Sequence, residues 1–81
     1  MAISDSDITR YRENLQGEVD ASSTYQALAE IEKQPPLKEV YQRLATIEIK
    51  HADFWEQKLT EAGVPVSRKP SPRARIMIFL A

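Results

Sequence analysis

The sequence predicts an all-α protein: an antiparallel helical hairpin that pairs with a second hairpin into a four-helix bundle. Three observations carry this. Two long stretches, from Asp5 to Lys33 and from Pro36 to about Ala62, contain no internal proline and only one glycine, Gly17. In both, apolar residues recur at alternating steps of three and four, the spacing of one helix face. The chain has only 81 residues, too few for two helices to cover both sides of their own seam, so a second hairpin is expected to complete the core.

The first helix opens on Ser4-Asp5-Ser6-Asp7, which offers N-cap residues and puts carboxylates at the positive helix end. Its seam reads Ile8, Tyr11, Leu15, Glu18, Ser22, Tyr25, Ala29. Pro35 pushes the residue before it out of the helical region, so the helix is expected to end near Lys33 or Gln34. Pro36 then suits the first position of the second helix, where a missing N–H costs nothing. That seam reads Leu37, Tyr41, Leu44, Glu48, His51, Trp55, Lys58, Ala62, with Val40, Ile47, Phe54 and Leu59 widening the stripe. Gly63 followed by Pro65 is a stop signal. The hairpin therefore occupies residues 4–63. Residues 64–75 read as a basic linker rich in proline and serine, and residues 76–81 as the start of an apolar helix, the cut end of a longer chain.

Composition removes whole classes of function. Without cysteine there is no disulfide, thiolate metal site or cysteine nucleophile; two glycines, Gly17 and Gly63, cannot build a phosphate-binding loop. The N-terminus is too polar for a signal peptide, and no apolar run is long enough to span a bilayer. Charge is divided: residues 1–61 carry 12 acids and 7 bases, whereas residues 62–81 carry 4 bases and no acid. An acidic body argues against a nucleic-acid-binding core. Arg68, Lys69, Arg73 and Arg75 suit either anionic lipid headgroups or an ordinary soluble linker, and a basic flank places the protein on the cytoplasmic side of any membrane.

Three seam residues do not belong in a core: Glu18, Glu48 and His51. Counted from a turn at Gln34–Pro35, and at about 1.5 Å per residue, all three stand roughly 20–25 Å from the turn. Glu48-Ile49-Lys50-His51 is a Glu-x-x-His spacing, which puts both side chains on one helix face. Burying two carboxylates and an imidazole together is costly unless a cation holds them. Oxygen and imidazole donors suit iron, manganese or zinc. Two hairpins related by a two-fold axis would offer four Glu and two His, the donor set of a carboxylate-bridged dinuclear site in a four-helix bundle. The competing reading is a buried Glu–His ion pair that fixes hairpin register. Tyr25, Tyr41 and Trp55 lie one or two turns from these residues, as outer hydrogen-bond or packing partners of a metal or simply as core. Asp20, Glu30 and Glu32 fall off the seam and read as solvated face.

Gly17-Glu18 with Ser22, Tyr25 and Ala27, together with Glu48-Ile49-Lys50-His51-Ala52, resembles the first half of a rubrerythrin-type ferritin-like domain. The stretches Tyr11 to Glu18 and His51 to Trp55 resemble more closely the bacterial branch in which such a domain precedes a membrane domain of the vacuolar iron transporter family. The resemblance covers about residues 8–63. It implies a di-iron centre with Glu18 as the helix-1 ligand, Glu48 as the bridging carboxylate and His51 as the terminal imidazole. It further implies Fe(II) oxidation by dioxygen or peroxide, a ferroxidase-type activity, or iron sensing for a fused transporter beyond Ala81. A full domain carries a second ligand-bearing hairpin; either a second copy of this chain, in a homodimer or higher oligomer, or a following segment supplies it. Two rival readings are a dimerisation or regulatory helical module without turnover, and a membrane-surface module driven by residues 66–80.

Overall fold

A computed structural model describes residues 3–81; Met1 and Ala2 of the polar N-terminal run lie outside them. Three helices follow in order: α1 (Asp5–Ile31), α2 (Pro35–Glu61) and α3 (Pro72–Leu80). No strand occurs among the described residues. Ser4 caps α1 by accepting the Asp7 N–H at 3.1 Å, with Asp5 and Asp7 in the first turn. Pro35 forces Gln34 into an extended conformation, and Glu32 is extended as well. The turn is therefore Glu32-Lys33-Gln34, α1 stops at Ile31 rather than Lys33, and Pro35 rather than Pro36 is the first residue of α2. Glu32 Oε1 accepts the Gln34 N–H at 3.1 Å and closes the turn.

The far end of α2 closes with a pair of nested bonds. Gly63 N–H donates to Thr60 O at 2.9 Å and Val64 N–H to Leu59 O at 3.0 Å, with Gly63 at φ +74°. This is a Schellman cap, which requires a left-handed residue that only glycine supplies without strain. Val64 then packs on the cluster that contains the fully buried Leu59.

The α1 seam is the expected one: Leu15, Ser22 and Ala29 are buried, and Ile8, Tyr11, Glu18 and Tyr25 half-buried between them, with Val19 added. The α2 seam differs. Its buried residues are Ala45, Ala52 and Leu59, alternating with half-buried Tyr41, Glu48 and Trp55. Leu37, His51, Lys58 and Ala62, expected inward, are exposed, as are Val40, Ile47 and Phe54. Alanine accounts for the difference, since a small side chain lets two backbones come close, while bulkier apolar residues are left on the outer face of the helix. The main core cluster, Leu15, Val19, Ala52 and Leu59, lies toward the end of the hairpin remote from the turn.

Residues 64–71 run along the hairpin as a docked strap. Val64 and Val66 pack on the core cluster. Arg68 pairs with Asp53 at 3.0 Å and Glu56 at 3.1 Å. Asp20 accepts the Ser71 N–H at 2.8 Å and the Ser71 hydroxyl at 2.7 Å, so it is a structural clamp rather than solvated face. The Ser71 hydroxyl in turn accepts the Ala74 N–H and caps α3, with Pro72 in its first turn. The third helix thus starts four residues before the expected position 76 and packs on α1, burying Ala74. The described residues form this three-helix unit, and none of their helices other than α1 packs on α2.

The Asp20 clamp gives a pH prediction with a defined sign. Burial alone would raise the Asp20 pKa, but the bonds from Ser71 and Gln16 outweigh it and hold the carboxyl below its ordinary value of 3.8. Its contribution is fully present above that value and is lost as pH falls through the lower, folded-state value. Hydrogen bonds to a charged group are worth on the order of 1–3 kcal/mol. Asp20→Ala should therefore strip hydrogen-exchange protection from α3 at neutral pH, leaving α1 and α2 protected. The wild type should lose the same protection on acidification below its ordinary carboxyl range.

Candidate metal centre

Glu18 projects from the middle of α1, one turn after Leu15 and one turn before Ser22, both buried. Glu48 sits in the α2 seam between Ala45 and Ala52, whose small side chains leave room beside it. His51 follows one turn later, at the rim of the interface. The antiparallel pairing brings the three to one height, as the residue count from the turn predicts. One potential ligand atom from each lies within 4.8 Å of the others. His51 Nδ1 is 3.4 Å from Glu18 Oε2 and 3.8 Å from Glu48 Oε2. The two glutamate side chains are 23% and 22% exposed and the imidazole 55%, so the cluster opens to one side of the hairpin.

The electrostatics of this cluster are unresolved within the protein. Glu18 Oε2 is buried and has no hydrogen-bond partner among the described residues. The buried Ser22 hydroxyl, the next polar group along the seam, donates instead to Val19 O at 2.9 Å. Burial raises the Glu18 pKa, the Glu48 carboxylate beside it adds to the rise, and His51 opposes it without cancelling it. A buried oxygen without a donor, a second carboxylate and an imidazole nitrogen fit a cation that takes oxygen and nitrogen ligands, as iron, manganese and zinc do.

The aromatic candidates fall elsewhere. Trp55 stacks against Tyr11 with ring centroids 5.3 Å apart and meets Phe54 edge-on at 4.9 Å, so it belongs to the packing of the remote hairpin end. Tyr25 lines a space between α1 and α3 with Thr24, Arg73 and Met77. Tyr41 lies two turns toward the hairpin turn, about 10 Å along the axis from Glu48. Neither tyrosine hydrogen-bonds to the three clustered residues among those described. A groove of about 500 Å³ nearer the turn is lined by Ala29, Glu30, Lys38 and Ala45 among others, and by none of the three clustered residues. Asp20, Ser71 and Arg68 are the interacting residues that periodicity misses. The signal for Ser71 is its position directly before Pro72, an N-cap followed by a first-turn proline.

With its pKa raised, ionised Glu18 opposes folding at neutral pH, and that cost fades as pH falls through the folded-state value toward the ordinary 4.5. Glu18→Gln should accordingly raise the melting temperature of metal-free protein at neutral pH. The same variant should show no further rise on adding Fe(II). A lower melting temperature would mean that the ionised Glu18 is a net stabilising group in the hairpin.

The family model described as Rubrerythrin matches residues 12–77, a span that contains Glu18, Glu48 and His51 and reaches into α3. No curated protein and no solved structure matches the chain. With the greater part of its length matched, and with a carboxylate–imidazole cluster between its two long helices, the chain belongs to the rubrerythrin family.

Proposed function

We propose that the chain is a di-iron-binding ferritin-like module whose site is completed by a second hairpin. The observation that carries this reading is the convergence of Glu18, Glu48 and His51 around a buried, partnerless carboxylate oxygen. Glu18 and Glu48 would hold iron through oxygen, with Glu48 in the bridging role that the family resemblance implies, and His51 would hold it through an imidazole nitrogen. Exposed Leu37, Val40, Ile47 and Phe54 form an apolar face beside His51 on which a second hairpin can pack. A second copy would bring a second Glu and a second Glu-x-x-His, the set that di-iron bundle proteins use.

A bound iron pair supplies one-electron redox chemistry toward dioxygen or peroxide. The chain's contribution would be to stabilise the added charge of the ferric product with its carboxylates. Fe(II) oxidation in iron storage, transport or detoxification is the function this donor set supports best. Iron binding or sensing without turnover uses the same residues. The sequence likeness to domains that precede vacuolar iron transporters favours a cytoplasmic position next to such a transporter. Manganese or zinc would occupy the same ligands.

Anaerobic Fe(II) should raise the melting temperature of the wild type, by about 2.7 kcal/mol of stabilisation at a hundredfold excess over Kd. A Glu18→Ala, Glu48→Ala, His51→Ala variant should show no rise. Oxygen consumption on adding Fe(II) aerobically then separates turnover from binding. Consumption no faster than that of Glu48→Ala would leave an iron-binding module and remove the oxidase.

A further inference from the structure

Residues 64–71 grip the hairpin at points that bracket the metal cluster. On α2, Arg68 holds Asp53 at 3.0 Å and Glu56 at 3.1 Å, and Asp53 stands two residues after His51. On α1, the Gln16 amide donates to Lys69 O at 3.0 Å and to Asp20 Oδ1 at 2.9 Å, and Asp20 accepts both donors of Ser71. Gln16 and Asp20 stand two residues before and two residues after Glu18. At about 100° per residue, a step of two carries a side chain to nearly the opposite side of a helix. The strap therefore holds α1 from the side away from Glu18. Arg68 adjoins Lys69 in sequence, and Pro70, with its fixed φ, leads on to Ser71, so the link between the two grips is short and stiff.

We propose that this strap is a belt that sets the α1–α2 spacing at the cation site, with Arg68, Gln16 and Asp20 as positioning residues. The inference rests on the metal-binding reading of Glu18, Glu48 and His51. Two carboxylates facing each other across a helix interface repel, and among the described residues His51 alone opposes that repulsion. The local force therefore spreads the helices where the donor atoms have to converge. Packing resists it weakly there, because the buried seam residues flanking the cluster toward the turn are Ser22 and Ala45, while the main apolar cluster lies toward the remote end. The belt adds charge-assisted bonds on both helices, through Arg68 on α2 and Asp20 on α1. None of its residues belongs to the cluster, so its effect on a cation runs through helix spacing. Donors already held together bind a cation without first ordering two helices, which raises affinity.

The chain has no cysteine, so spin labels on Gly17→Cys and Lys50→Cys report the helix separation beside Glu18 and His51. Both positions are exposed, and a Cβ at Gly17 meets nothing within 4 Å. In metal-free protein, Arg68→Ala with Asp20→Ala should broaden the distance distribution toward longer separations, while Arg68→Lys keeps it narrow. Mn(II) alone, titrated into unlabelled wild type and variants and followed by the resonance of the free ion, should bind the belt variant about tenfold more weakly, the scale on which groups behind a metal ligand act. Arg68→Lys should bind it nearly as the wild type does. A metal-free thermal melt confirms that each variant folds, and Arg68→Ala alone, which removes only surface ion pairs, replaces the double variant if that one melts early. An unchanged distribution, or equal Mn(II) affinity in wild type and belt variant, overturns the proposal. A wild type that takes up no Mn(II) removes the metal-binding reading itself; a distribution that still broadens would then make the belt a fold-stabilising strap and overturn its positioning role.

Discussion

The structure turns on two carboxylates held against each other in the seam between α1 and α2. Glu18 and Glu48 occupy positions where the surrounding pattern calls for apolar side chains, and among the described residues His51 alone stands near enough to offset them. A partnerless buried oxygen and a raised carboxyl pKa are the marks of a site that the hairpin does not neutralise by itself. In a chain of this size an uncompensated cost of a kilocalorie or two is a large part of the total stability. The hairpin tolerates it because the cost is concentrated at mid-seam, while packing is strongest at the remote end around Leu15, Val19 and Leu59.

That arrangement also explains the unusual division of residues on α2. Alanine at 45 and 52 brings the helices close around the cluster, while Leu37, Val40, Ile47 and Phe54 are turned outward. His51 lies on the boundary between the two faces. In the proposed assembly the outward apolar residues would seat a second hairpin, with the imidazole between the two halves. The strap of residues 64–71 serves the opposite edge, tying α3 to α1 through Asp20 and to α2 through Arg68.

Much of this was legible in the sequence, for physical reasons that can be named. Pro35 and Gly63 act locally, so the expected ends of α1 and α2 fall within three residues of the observed ones. The juxtaposition of Glu18 with Glu48 and His51 followed from counting residues outward from the turn, because helix rise is nearly constant. The observed α2 seam departs from the expected one because two three-and-four series share Tyr41, Glu48 and Trp55, and hydrophobicity ranks Leu37 and Leu44 above Ala45 and Ala52. Close approach ranks them the other way. Trp55 went to the aromatic core beside Tyr11, a neighbour on the other helix that spacing along α2 cannot reveal. The Asp20–Ser71 clamp joins residues 51 apart in sequence, and no periodic pattern encodes it.

The most direct test of the central claim is the mass of the protein in solution, by sedimentation equilibrium, as Fe(II) is added without oxygen. A dinuclear site shared by two hairpins predicts a dimer that is fully formed at about one iron per chain, with two iron ions per assembly. A monomer that never changes mass and retains no iron after gel filtration would contradict it, and Glu18, Glu48 and His51 would then be a register device.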